Sequence, residues 1–297
     1  MSEVAGAAVA EAEVAPAPEV AGVPPRFAVF SDVHGNLPAL RACLKEMEFD
    51  NLPVRYCCGD LVGYGAHPNE CTDLVLGAGT ATVLGNHDEM ALAPERLAAF
   101  NVAAQQAIAW TARTLAPEQR ARLATLPLTR RAGDFTFVHG SPYEPAQWHY
   151  VLTRRASQVS FRFFDGWICF IGHSHQPFVV EQPPSDSEDA DPSDGIGNCR
   201  DWDEGAACPR DAWYAGPRLG RCKSGEVALD RSRRYLVNVG SVGQPRDADP
   251  RACYVTVDLA AMRLQFHRVE YPVAEAQRAI VAAGLPAVLA RRLALGR

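Results

Sequence analysis

Five clusters of potential metal ligands are spread over residues 32–175 of this 297-residue chain. They carry carboxylate, amide and imidazole groups, which are the ligands that hard and borderline divalent metals prefer. One metal ion needs only three or four protein ligands, so a set this large predicts two metal ions that share a bridging ligand. The clusters are Asp32-Val33-His34, Gly59-Asp60, Gly85-Asn86-His87-Asp88, His139 in Val138-His139-Gly140, and Gly172-His173-Ser174-His175.

Each cluster comes after a short apolar run of the kind that forms a buried β-strand. The predicted strands are residues 26–31, 54–58, 80–84, 135–138 and 167–171. Apolar residues at helical spacing predict helices at 37–47, 68–76, 98–115 and 117–125. Strands that alternate with helices are typically parallel, and in such sheets binding sites form beyond the carboxyl ends of the strands. We therefore expect the five clusters to meet at one rim.

The rest of the chain predicts a second group of strands and two irregular segments. Residues 235–239, 252–259 and 263–269 are expected to form a second sheet, which two Ala-rich helices follow. Residues 1–25 are predicted to be a disordered tail, so the folded domain is predicted to span 26–297. Residues 181–233, with a Pro-Pro pair and an acidic run, are predicted to be an irregular insertion. Its cysteines lack the paired spacing of a zinc site, and their role is left open: Cys199, Cys208 and Cys222.

Composition narrows the class of protein. The net charge of -6 disfavours nucleic-acid binding, because that needs a Lys- and Arg-rich surface. No apolar stretch approaches the ~20 residues that span a bilayer. The N-terminal segment lacks the basic and apolar regions of a secretory signal, and the cysteines Cys57 and Cys58 lie in an apolar run that suits reduced thiols. These features predict a cytoplasmic protein without a membrane partner.

Taken in order, the clusters resemble the D-x-H, G-D, G-N-H-D, H and G-H-x-H pattern of the calcineurin-like metallophosphoesterases. The resemblance covers residues 27–180 and resumes at 235–269. The runs at 59–65, 138–142 and 238–247 are most similar to a bacterial phosphoesterase branch. The resemblance implies a four-layer α/β/β/α sandwich of two mixed sheets with a metal pair at its rim.

The same resemblance assigns a role to each cluster. Asp32, His34 and His175 would bind the first metal, Asp60 would bridge, and the second metal would be bound by Asn86, His139 and His173. His87 would face the substrate phosphate, oriented by Asp88. These ligands suit manganese, iron, zinc, nickel or cobalt alike. The implied reaction is hydrolysis of phosphate mono- or diesters of a small phosphorylated substrate, by attack of a hydroxide that bridges the metals.

The chain departs from the family pattern at one informative place. Protein phosphatases and one group of dinucleoside tetraphosphatases of this family carry Asp-Arg-Gly after the second motif, whereas this chain has Gly63-Tyr64-Gly65. The missing arginine disfavours protein phosphatase activity. Arg246 is either a replacement cation for the phosphate or a solvated turn residue. Trp148, His149 and Tyr150 either line the substrate cleft or pack at the surface.

Several other functions share the same metal-binding pattern. Cleavage of a dinucleoside polyphosphate or of a cyclic nucleotide would use the same residues. A non-catalytic scaffold is disfavoured because every predicted ligand is present. A repair nuclease is disfavoured by the acidic balance of the chain.

Overall fold

The computed structural model describes residues 23–93, 101–182 and 224–297, and within them the chain forms eleven strands and eight helices. The strands are β1 Arg26–Phe30, β2 Arg55–Cys57, β3 Ala81–Thr82, β4 Thr129–Ala132, β5 Phe135–Val138, β6 Ile168–Ile171, β7 Phe178–Gln182, β8 Ser224–Ala228, β9 Arg234–Asn238, β10 Ala252–Asp258 and β11 Arg263–Val269. The helices are α1 Leu37–Phe49, α2 Pro68–Gly77, α3 Asn86–Leu92, α4 Val102–Thr114, α5 Pro117–Ala124, α6 Arg154–Phe161, α7 Val273–Ala282 and α8 Ala287–Leu293.

The strands form two mixed sheets. The first has the order β3-β2-β1-β10-β11-β8, and the second has the order β4-β5-β6-β9-β7. Strands β1, β2 and β3 are parallel, and so are β5, β6 and β9. Two parallel groups therefore point the loops that follow them toward one rim.

The expected second sheet of C-terminal strands is wrong. β9 lies beside β6 in the sheet of the His139 and His173 motifs, whereas β10 pairs antiparallel with β1 in the other sheet. The physical reason is that β9 and β10 are both almost entirely buried. The sequence of a strand that is buried on both faces does not alternate between apolar and polar residues, so it does not indicate which sheet the strand joins.

An aromatic core holds the two sheets together. Phe27 and Tyr56 of the first sheet meet Phe137 and Phe170 of the second, and all four are fully buried. The ring centroids of Tyr56 and Phe137 lie 4.1 Å apart in a stacked pair, and those of Phe137 and Phe170 lie 5.3 Å apart. Neighbouring residues on each strand, such as Ala28, face the other way because side chains alternate along a strand.

Helices cover the outer face of each sheet. On α1, buried Leu40, Leu44 and Met47 follow helical spacing and pack on the first sheet, and Asn36 caps the helix by accepting a hydrogen bond from the Ala39 N–H. On the second sheet, α6 packs through Ala156 and Phe161. The molecule is therefore the expected four-layer α/β/β/α sandwich.

Most of the predicted tail and insertion lies outside the described residues, as do the insertion's three cysteines. The described ends of the insertion range are not irregular, since β7 continues to Gln182 and β8 spans Ser224–Ala228. No helix in the described parts of the chain has the length and apolar character needed to cross a bilayer.

Candidate metal centre

The loops after the parallel strands of both sheets meet at the rim, as the sequence predicts. Neighbouring loops are hydrogen-bonded through their backbones, since the Asp32 N–H donates to the Gly59 carbonyl and the Gly172 N–H donates to the His139 carbonyl. The loop after β9 joins the two sheets, because the Gly243 N–H donates to the Asp32 carbonyl. The seven predicted metal ligands are all buried at this junction: Asp32, His34, Asp60, Asn86, His139, His173 and His175.

The first predicted ligand group is assembled as expected. The Nε2 atoms of His34 and His175 lie 3.1 Å apart. Asp32 Oδ1 lies 3.3 Å from the Nε2 of His175 and 3.7 Å from that of His34. These atoms all fall within 4.8 Å of one another, a spacing that one metal ion can span.

Asp60 lies between the two predicted ligand groups. Its Oδ2 is 3.5 Å from the His34 Nε2 of the first group and 3.3 Å from the His139 Nε2 of the second. The Oδ1 atom accepts a hydrogen bond from the His87 N–H at 2.8 Å, which fixes the plane of the carboxylate. This is the position that a bridging carboxylate needs.

The second group surrounds His139. Its Nε2 lies 2.9 Å from Asn86 Oδ1 and 3.2 Å from His173 Nδ1. The predicted members of this group are therefore in contact with one another and with Asp60.

Backbone carbonyl groups orient three of the four ligand histidines. The Nδ1 atoms of His34, His139 and His175 lie 3.0, 2.7 and 2.6 Å from the carbonyl oxygens of Val62, Cys58 and Gln244. A carbonyl oxygen only accepts, so each Nδ1 must carry the proton. The Nε2 of the neutral ring then presents its lone pair to the centre of the cluster, which is how histidines that bind metals are held.

The cluster fits a divalent cation because its negative and lone-pair atoms face one another. Asp60 Oδ2 is buried and has no hydrogen-bond partner among the described residues. Burial alone raises the pKa of Asp60, but His139, His87 and His34 outweigh burial and hold that pKa well below its usual range. Burial lowers the pKa of His139, yet Asp60 raises it to about 9. Without metal, a proton on His139 balances the negative charge of Asp60. A bound cation would supply that positive charge instead.

The backbone is strained at most of these ligands. Five of the seven have a left-handed backbone conformation that side chains rarely adopt, at a cost of order 1–3 kcal/mol each. The five residues, with φ between 50° and 66°, are Asp32, His34, Asp60, His173 and His175. Strain concentrated in this way is typical of functional sites.

Gly172 and Asn238 hold the His173 loop close to Asp32. A Cβ atom on Gly172 would overlap the side chains of Ser31 and Asp32. Asn238, at the end of β9, donates through Nδ2 to the Gly172 carbonyl at 2.6 Å and to Ser174 Oγ at 3.0 Å. The role of Asn238 was missed at the sequence level, although the residue lies in a run that resembles the family.

His87 is buried beside the predicted metal ligands, and its ring contacts two neighbouring rings. Its ring lies 4.8 Å from that of His34 and 4.4 Å from that of Tyr64, between centroids. Burial lowers the pKa of His87 well below its ordinary value, so the neutral ring is favoured.

Asp88 holds three loops together. Its carboxylate accepts hydrogen bonds from the backbone N–H groups of Asp60, Val62 and Gly85 at 2.9, 3.1 and 3.1 Å. Burial and the nearby Asp60 raise the pKa of Asp88 to about 7. Asp88 thus positions Asp60 through its backbone, and its predicted orientation of the His87 ring stays a prediction.

Arg246 is partly buried and lies beside the ligand cluster. Its guanidinium donates to the Tyr64 hydroxyl at 3.3 Å and to Gln244 Oε1 at 3.1 Å. Burial lowers the pKa of His175, and the positive charge of Arg246 lowers it further. The Arg246 guanidinium is therefore close enough to affect the charge of the ligand cluster.

Two aromatic residues of the loop after β5 border the cluster. The Tyr150 ring stacks on His173 with centroids 3.8 Å apart. Trp148 lies 5.8 Å from the His139 ring and donates through Nε1 to Glu89 of α3 at 2.9 Å. His149 instead pairs with Glu144 at the surface. Trp148 and Tyr150 thus line the cleft.

Comparison with known proteins agrees with this geometry. Residues 25–179 match the calcineurin-like phosphoesterase family. An uncharacterised protein of Methanocaldococcus jannaschii is 35% identical over 275 residues, covering 91% of this chain and 98% of the relative. A metallophosphoesterase from Sphaerobacter thermophilus is 36% identical with a TM-score of 0.72, covering 92% of this chain and 99% of that one. A hypothetical protein from Pyrococcus horikoshii is 18% identical with a TM-score of 0.68 over 92% and 98% of the two chains, which indicates a shared fold alone.

Proposed function

The chain belongs to the calcineurin-like phosphoesterase family, and we propose that it hydrolyses phosphate mono- or diesters with two divalent metal ions. Membership makes it a hydrolase that acts on phosphoesters. The observation that carries the two-metal proposal is the position of Asp60. Its unpartnered Oδ2 lies between His34 of one ligand group and His139 of the other.

Each metal ion would be bound by one of the two groups of ligands that contact one another. Asp32, His34 and His175 would bind one ion, and the other would be bound by Asn86, His139 and His173. Asp60, which lies between the two groups, would be a ligand common to both ions, and its Oδ1 accepts a hydrogen bond from the His87 N–H. When bound, the metals would supply an activated water and positive charge for the phosphate oxygens.

The protein's own side chains would place the phosphate and the leaving group. The Nδ1 side of the His87 ring packs against Gly63, which leaves Nε2 to donate a hydrogen bond to the phosphate or to the leaving oxygen. Arg246 would add a fixed positive charge outside the ligand cluster. Hydrolysis forms a bond from the water oxygen to phosphorus, breaks the ester P–O bond and transfers a proton to the leaving oxygen.

A substrate panel tests the proposal directly. Phosphomonoesters, phosphodiesters, cyclic nucleotides and dinucleotides should be assayed with added Mn²⁺ and with a chelator. We expect turnover of at least one ester that depends on metal, and metal analysis should find about two ions per chain. Turnover that survives complete removal of metal would contradict the proposal.

A further inference from the structure

The side chain of Arg246 lies beside two tyrosine residues that border the ligand cluster. Its guanidinium donates to the hydroxyl of Tyr64, in the loop after β2, at 3.3 Å, and its positive charge acts on the hydroxyl of Tyr150, in the loop after β5. Gln244 Oε1 accepts a further hydrogen bond from the guanidinium at 3.1 Å. Three loops from both sheets thus contribute to one arrangement beside the metal centre.

This arrangement retains unused hydrogen-bond donors. A guanidinium only donates, so the Tyr64 oxygen accepts from Arg246 and the Tyr64 hydroxyl hydrogen points elsewhere. Among the described residues, the buried Nε of Arg246 has no hydrogen-bond partner. A group of donors that lacks acceptors next to a cation is a site for an anion.

We propose that Tyr64, Tyr150 and Arg246 form an oxyanion clamp that selects phosphomonoesters over phosphodiesters, an inference that rests on the proposed function. A monoester carries three terminal oxygens and close to two negative charges near neutral pH. A diester carries two terminal oxygens and one charge. Two cations can engage two oxygens, and only the monoester has a third for these donors.

The position of the clamp also limits space for a second ester substituent. Tyr64 packs against the His34 and His87 rings at 4.6 and 4.4 Å, and Tyr150 packs against His173 at 3.8 Å, between centroids. Arg246 bonds to Tyr64 and acts electrostatically on Tyr150, so the three side chains border the site from one ligand group to the other. Both substituents of a diester would have to leave through the remaining opening.

The clamp explains the departure of the Gly63-Tyr64-Gly65 motif from Asp-Arg-Gly. Where the related phosphatases have the arginine of Asp-Arg-Gly, this chain has Tyr64. The Tyr64 hydroxyl accepts a hydrogen bond from Arg246, which lies in the loop after β9. The donor is therefore supplied by Arg246, 182 residues away in the sequence.

The first test compares p-nitrophenyl phosphate with p-nitrophenyl methyl phosphate on the Mn²⁺-loaded full-length protein. The two esters share a leaving group and differ in the terminal oxygen that the clamp would bind. We expect kcat/KM to be at least about 100-fold higher for the monoester. Equal efficiency with both, or preference for the diester, would overturn the inference while leaving the phosphoesterase proposal intact.

Variants of the clamp test the assignment to these residues. Tyr64→Phe and Tyr150→Phe keep the ring contacts and remove only the hydroxyl groups. We expect each to lower kcat/KM about tenfold for the monoester and less than threefold for the diester. A matched control is Tyr56→Phe, because the Tyr56 hydroxyl is buried in the core without a partner and should change neither value. Equal losses on both esters would mean that the tyrosines serve the fold.

If neither ester is hydrolysed, the proposed function fails, but the clamp can still be tested by measuring binding. Titration calorimetry should compare inorganic phosphate with dimethyl phosphate on the metal-loaded protein. We expect phosphate to bind at least tenfold more tightly and Arg246→Gln to remove most of that difference. A difference that is unchanged in Arg246→Gln would refute the clamp.

Discussion

At the scale of single residues, the chemistry of the centre depends most on Asp60. We predict that Asp60→Asn lowers kcat by at least about 100-fold, because the variant loses the negative charge that would hold the two cations together. The fold should persist, since the new amide can still accept from the His87 N–H and can donate to the nearby His139 Nε2. Steady-state kinetics measures kcat, metal analysis measures the bound metal, and circular dichroism checks that the fold persists.

A carboxylate away from the site provides the control. Asp73→Asn alters a half-exposed residue of α2 that pairs with Arg122, and it should leave metal content and kcat unchanged. If Asp60→Asn kept both its metal and its turnover, Asp60 would not be the bridging ligand.

His267 makes stability depend on pH without belonging to the site. It packs on Tyr254 with centroids 4.5 Å apart and bonds to Thr256 Oγ1 at 2.9 Å, and burial lowers its pKa from 6.5 to about 4. The unfolded chain therefore binds the proton first as the pH falls. The stabilising effect of neutral His267 is complete above pH 6.5 and is lost between pH 6.5 and 4.

We predict that His267→Gln removes this part of the pH dependence. Between pH 6.5 and pH 5 the wild type should lose about 2 kcal/mol of unfolding free energy through His267, and the variant should lose correspondingly less. Urea unfolding of both proteins with a chelator at pH 7 and pH 5 measures the difference. His149→Gln, at the surface beside Glu144, is the control and should follow the wild type. Parallel pH curves for the wild type and His267→Gln would refute this prediction.

The residues that meet in the cluster were predictable from the sequence, whereas the orientation of their side chains was not. Asp32, Asp60 and His139 were identified because metal chemistry restricts the residue types and because each follows an apolar run. The carbonyl groups that fix the imidazoles lie 28, 81 and 69 residues away from their histidines. No local pattern records contacts of that range, nor the backbone N–H groups of Asp60 and Val62 that donate to Asp88.

At the scale of elements, the end of β9 supports the loop after β6. Asn238 satisfies the Gly172 carbonyl and Ser174 Oγ and also accepts from the Gly240 N–H at 3.0 Å. We predict that Asn238→Ala lowers the unfolding free energy by about 2–4 kcal/mol and weakens metal binding at least tenfold, since buried groups lose their partners and the His173 loop loses its anchor. Chemical unfolding and metal titration measure the two effects.

Asn69→Ala is a matched control for this variant. Asn69 also makes two hydrogen bonds to backbone groups, the Thr114 carbonyl at 3.0 Å and the Ala116 N–H at 2.9 Å, but it lies on α2. It should lower stability and leave metal affinity unchanged. Metal affinity that falls equally in both variants would show that general loosening, and not the anchor on β9, explains the effect.

The elements themselves were predicted well where one signal determined them. Apolar runs located β1, β5 and β6, and helical spacing located α1 and α2 within one or two residues of each end. The partners of β9 and β10 were not predicted, because strand pairing depends on which buried edge is available in three dimensions. β8 was missed inside a range whose composition indicated irregular structure.

At the scale of the whole molecule, the metal centre connects the two sheets. Asp32, His34 and Asp60 follow strands of the first sheet, whereas His139, His173 and His175 follow strands of the second. In the metal-free protein the buried carboxylates and imidazoles of this junction lack the cations that would balance them. Bound metals should therefore stabilise the packing of one sheet on the other.

We predict that Mn²⁺ at about 100 times its dissociation constant raises unfolding free energy by about 2.7 kcal/mol per site, because the metal binds the folded chain and not the separated loops. For a chain of this size, that corresponds to a rise in Tm of roughly 5 °C or more. A chelator should lower the Tm of the purified protein, and Mn²⁺ should restore it. Asp60→Asn should show a much smaller rise, since the ligand common to both groups is gone, whereas Asp73→Asn should match the wild type. A rise of the same size in Asp60→Asn would place the stabilising ion outside this junction.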